Sequence, residues 1–118
     1  MISIRLEQMS ALDASVRESF IGRMVEHLGR CFPERCAASS DADIRLRVSR
    51  AMDRAALYEI RQERDLGRFL DVGMIFGETF DTDCPWATAV LGQPIDPSAR
   101  MKILFEDARR RAQDLEQG

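Results

Sequence analysis

The apolar positions of this chain recur with the spacing of helices almost from end to end. Leu12, Val16, Phe20, Met24 and Leu28 return every four residues, and Ile21, Val25 and Phe32 widen the stripe. Arg17, Glu18, Arg23, Glu26 and Arg30 occupy the other side. This pattern predicts an amphipathic helix over about residues 10–32, with its apolar face against a core. Ser10 is its expected N-cap, with Asp13 as a short-armed capping-box partner. Pro33 is expected to stop it, because the residue before a proline is pushed out of the helical region.

Glu34 to Ser40 reads as a connector, ending in Ser39, Ser40 and Asp41, any of which suits a helix cap. A second helix is expected from about Asp41 to Ile60. Ile44, Val48, Ala51, Met52, Ala55 and Ala56 form its buried stripe, with Leu57 or Ile60 closing the last turn. A third is expected from Glu63 to Phe76, with Leu66, Phe69, Leu70, Val72, Gly73 and Phe76 inward. Glu63 and Asp65 complement its dipole, and Gly77 is its expected C′ residue. Phe80 to Pro85 reads as a polar loop whose Asp83 caps a short helix from Pro85 to Leu91. The last helix is expected from Pro97 to Leu115, capped by Asp96, with Met101, Leu104, Phe105, Ala108, Ala112 and Leu115 at helical spacing. Ile2 to Leu6 is the one stretch that could alternate as a strand. The expected fold class is all-α: a compact irregular bundle of four longer helices plus one short helix.

Length adds that 118 residues make one domain, residues 1–118, able to fold without metal or disulfide staples. With 45% hydrophobic and only 7% aromatic residues, the core must rest on aliphatic side chains. The net charge of −3 argues against nucleic acid as the main partner, since phosphate contacts need a basic field. Lys102 is the sole lysine; the remaining basic residues are arginines, which suit either a GC-rich coding sequence or a protein interface. Cys31, Cys36 and Cys84 give an odd cysteine count, which fits a reducing compartment. No signal peptide and no membrane-length apolar run are visible, so a cytoplasmic location is expected.

Candidate chemistry is sparse. His27, the sole histidine, flanks Leu28 and has only Glu26 beside it, on a different side of the helix. Glu78, Asp81 and Asp83 gather carboxylates, but without the alternating ligands, central glycine and closing glutamate of a calcium loop. Cys31 and Cys36 have no second ligand pair, and Cys84 has no nearby histidine. The expectation is therefore a nonenzymatic chain without cofactor or metal. Trp86, the sole tryptophan, sits beside a loop carrying Phe80 and fits either a core or a binding hot spot. The expected partner-binding residues are Met74, Phe80, Asp81, Asp83 and Trp86. Leu46, Met74 and Ile103 fall outside the main stripes and suit a homodimer or a heterologous contact.

A succession of short steps carries a family resemblance. Cys31-Phe32-Pro33 ends the first helix, and Ala55-Ala56-Leu57-Tyr58-Glu59-Ile60 follows, with Glu59 where the pattern has Gly. Then come Glu63-Arg64-Asp65, the loop Gly77-Glu78-Thr79-Phe80-Asp81-Thr82-Asp83, and Trp86-Ala87-Thr88-Ala89-Val90-Leu91. Together they resemble small helical accessory proteins encoded with bacterial type VI secretion effectors and their adaptor chaperones. The resemblance implies a noncatalytic co-chaperone or adaptor whose partner is a secreted effector, its adaptor chaperone or a spike protein. The alternative is an immunity protein that binds and neutralises a cognate toxin.

Overall fold

The computed structural model describes the backbone of residues 2–117 and the side chains of residues 14–116. Among the described residues there are seven helices and no strand: α1 (Ile2–Cys31), α2 (Pro33–Ala37), α3 (Asp41–Ala56), α4 (Glu63–Phe76), α5 (Phe80–Asp83), α6 (Pro85–Leu91) and α7 (Pro97–Gln117). The fold is all-α, as the periodicity predicts. The stretch expected as a possible strand, Ile2 to Leu6, is helical, and α1 begins well before Ser10. The side chains of Ser10, Leu12 and Asp13 lie outside the described residues. No described helix is long and apolar enough to cross a membrane.

Where sequence length suggests one domain, the chain divides into two compact units, residues 1–48 and 49–118, with the division inside α3. In the first unit, Phe20, Ile21, Leu28 and Val48 are buried, while Val16 is 53% exposed. The predicted stripe on α1 is therefore buried at Phe20, Ile21 and Leu28 and half-buried at Met24, Val25 and Phe32. Phe32 leaves the helical region at φ −132° and ψ 57°, and Pro33 then opens α2 as its first residue. This five-residue helix replaces part of the expected connector. It has no buried residue, so no apolar period marks it in the sequence. Ser40 caps α3 as expected. Its hydroxyl accepts from the Asp43 N–H at 3.1 Å, and the Asp43 carboxylate accepts from the Ser40 N–H at 3.4 Å.

The second unit holds the end of α3 and everything after it. Here α4 packs along α7, α6 lies against both α5 and α7, and α5 touches α4. Leu66, Phe69, Leu70, Val72, Met74, Val90, Leu91, Met101, Leu104 and Ala108 are buried. α3 ends at Ala56 rather than continuing to Ile60. Glu59 takes the left-handed conformation, φ 62°. The Ile60 N–H then bonds the Ala55 carbonyl at 3.1 Å and the Glu59 N–H bonds that of Ala56 at 3.0 Å. These two bonds are the Schellman pattern, and Ile60, 1% exposed, is its buried apolar residue. Gly77 closes α4 at φ 108°, its N–H on the Gly73 carbonyl at 2.9 Å. Asp96 caps α7 through the Ser98 N–H at 3.1 Å.

Candidate partner-binding site

The acidic stretch between α4 and α6 folds so that its three carboxylates turn to three different partners. Phe80 starts α5 instead of lying in an open loop, and its ring packs on Phe69 with centroids 4.8 Å apart. The same turn carries Asp81 inward. There the Arg54 fork grips its carboxylate from Nε at 2.9 Å and Nη2 at 3.0 Å. The Tyr58 hydroxyl donates to the same carboxylate at 2.7 Å. The Thr88 hydroxyl donates to the Asp81 carbonyl at 2.7 Å, tying α6 to α5. Glu78 pairs with Arg50 through two hydrogen bonds of 3.0 and 3.2 Å. Asp83 accepts from the Thr79 hydroxyl and ends α5. It does not cap α6, whose cap residue is Cys84. Among the described residues no three His, Cys, Asp or Glu side chains come together as a metal site would need.

Burial pushes the Tyr58 pKa up to about 12, helped by the hydrogen bond to Asp81 and by the charge of that carboxylate, against the pull of Arg54. At neutral pH the phenol keeps its proton and serves as a donor, not as a base. Two further ionic side chains in this unit hold elements together. Arg100 is buried and donates to the carbonyls of Leu91, at 2.7 Å, and Tyr58, at 2.8 Å. These carbonyls stand at the C-terminal ends of α6 and α3, where a helix dipole favours a cation. Asp65, 2% exposed, takes a hydrogen bond of 2.6 Å from the Ser98 hydroxyl and so joins the first turns of α4 and α7.

These placements revise the partner-binding expectation. Met74, Phe80 and Asp81 are interior, at 6%, 1% and 1% exposure, and cannot form an exposed docking face in this conformation. The reason for Met74 is that α4 is buried nearly all round over residues 69–74 and not on one stripe. Asp83 is exposed and Trp86 is half-buried. Of the residues outside the main stripes, Leu46 and Ile103 are exposed, at 53% and 41%.

Trp86 lines an open groove of about 260 Å³ with Phe76, Arg111, Asp114 and Leu115. Phe76 comes from the last turn of α4, Trp86 from the first turn of α6, and the other three from the end of α7. The Phe76 and Trp86 rings meet edge to face at 5.1 Å. The Arg111 guanidinium lies 4.8 Å above the indole. Its Nε also donates to Asp107 at 3.3 Å, so the cation is fixed from both sides. Leu115 is 67% exposed although it occupies the last position of the α7 stripe. Sequence reasoning singles out Trp86 here and misses Phe76, Arg111, Asp114 and Leu115. The available signal is that the apolar period of α7 runs on for seven residues past its last buried position, Ala108.

One pairing escapes the sequence reading altogether. His27 and Cys31, four residues apart on α1, bring Nδ1 and Sγ within 3.7 Å. Cys31 is exposed, and all three cysteines are free thiols. The chain matches no protein-family model, no curated protein and no solved structure.

Proposed function

We propose that this protein is a noncatalytic binding module that holds another protein through the Trp86 groove. The observation that carries this reading is the half-buried, solitary tryptophan under a fixed arginine, rimmed by an exposed leucine. Tryptophan and arginine dominate binding hot spots, the first because a rigid ring buries much area at little entropic cost and the second because a planar guanidinium both stacks and donates hydrogen bonds. The buried charged side chains of this unit support the same reading, because Asp81 is bonded to Arg54 and Tyr58, Asp65 to Ser98 and Arg100 to backbone carbonyls, with only Asp65 Oδ1 and Arg100 Nε left without a hydrogen bond among the described residues.

Within this class, the resemblance in the sequence favours a co-chaperone or adaptor for a type VI secretion effector or its loading adaptor. The test is co-expression with each protein encoded beside this one. One neighbour should co-purify with the wild-type chain and be lost with Trp86→Ala or Leu115→Asp. Retention of no neighbour sinks this reading. The acidic balance of the chain favours a second role, an immunity protein that covers a basic toxin. The two separate cleanly: an immunity protein rescues cells that make the toxin, whereas a co-chaperone raises the level and secretion of the effector.

A further inference from the structure

The charges around the groove say what kind of segment fills it. Arg111 is engaged twice, with Asp107 at 3.3 Å and with the Trp86 ring at 4.8 Å. Asp114, on the same rim, is exposed and has no hydrogen-bond or ion-pair partner among the described residues. The rim therefore carries one cation already engaged, Arg111, and one carboxylate without a partner, Asp114, beside an apolar floor. The volume of about 260 Å³ is below the range of small-molecule pockets and suits one or two side chains.

We infer that the groove takes a basic amphipathic segment of the partner protein, an apolar side chain seated between Phe76, Trp86 and Leu115 and a lysine or arginine paired with Asp114. This rests on the proposed binding role and specifies its ligand. An apolar anchor gains from leaving water against two rings and an aliphatic side chain. A cation one helical turn from that anchor meets the one lining carboxylate that lacks a partner. An acidic segment would face Asp114 with like charge, and Arg111 is already engaged by the Trp86 ring and by Asp107, which it shares with Arg110.

The probe is a library of displayed twelve-residue peptides selected on the full chain, with binding then read by the emission of Trp86, the single tryptophan. Selected peptides should combine a large apolar residue with Lys or Arg within one turn, and should shift Trp86 emission. Their affinity should fall about fivefold on Asp114→Asn, as a partly exposed ion pair is worth about 1 kcal/mol, and should weaken as salt is raised. Asp114→Lys should invert the charge preference of a repeated selection. Asp114 is exposed at the end of α7, so circular dichroism of both variants should match the wild type. Peptides that shift Trp86 emission without a basic residue, or with an acidic one, overturn the inference and leave the groove standing as a binding site. Absence of any peptide that shifts Trp86 emission overturns both. Self-association abolished by Leu115→Asp assigns the groove to a second copy and overturns the inference.

Discussion

Arg54, Tyr58 and Asp81 show why an acidic residue in a loop-like sequence ends up inside. Asp81 follows Phe80, whose ring has nowhere to go but the core, and the short turn of α5 takes the carboxylate with it. Arg54 and Tyr58, one turn apart at the end of α3, then supply three hydrogen bonds. Removing the cation leaves a buried charge, so Arg54→Ala should cost about 3 kcal/mol, read from the denaturation midpoint. Tyr58 is the sole tyrosine, so its ionisation can be followed by absorbance. The midpoint should lie near 12 in the folded protein and near 10 when unfolded. Because the folded pKa is the higher one, the stability linked to this proton is complete below pH 10 and is lost as pH rises through 12. Tyr58→Phe should remove that part of the alkaline loss. Coincident titration of folded and unfolded protein near pH 10 would contradict the part-buried hydrogen bond to Asp81.

At the scale of elements, helices with periodic apolar faces and strong punctuation are legible from the sequence. α4 and α6 begin and end as expected, because Gly77, Pro85 and Gly92 mark their limits. α3 starts at its expected cap but stops four residues early. Its terminator, Glu59, has a side chain that disfavours the left-handed conformation it adopts, so the stop has no glycine to announce it. α2 and α5 are too short to show a period, at five and four residues. Two substitutions probe these ends in opposite directions. Glu59→Gly should raise stability by about 1 kcal/mol by relieving the left-handed strain. Gly77→Ala should lower it by about 2 kcal/mol. An added Cβ at Gly77 meets nothing within 4 Å, so that loss would be purely conformational. Equal and negligible shifts in both midpoints would mean that these residues do not hold positive φ.

Across the whole chain, fold class is far more legible than the site. Fold class follows from periodicity, which is local. The groove is assembled from the ends of α4, α6 and α7, residues up to 39 positions apart, and only Trp86 stands out by its chemistry alone. Met74 looks available in the sequence because it falls outside the predicted stripe, and Phe80 and Asp81 because their neighbours are polar, yet burial of nearly the whole circumference of α4 and the turn of α5 take them inside. The functional account depends on partner contact at one end of α7 and not elsewhere on the second unit. Leu57 is a fair control, being an apolar residue even more exposed than Leu115, at 75% against 67%, and not among the groove's lining residues. The most direct measurement places a photo-crosslinking amino acid at Leu115 or at Leu57 in the full chain in its native cell. The account predicts one discrete adduct from position 115, lost when Trp86→Ala is added, and none from position 57. Adducts from position 57 alone, or an adduct at 115 indifferent to Trp86, would contradict it.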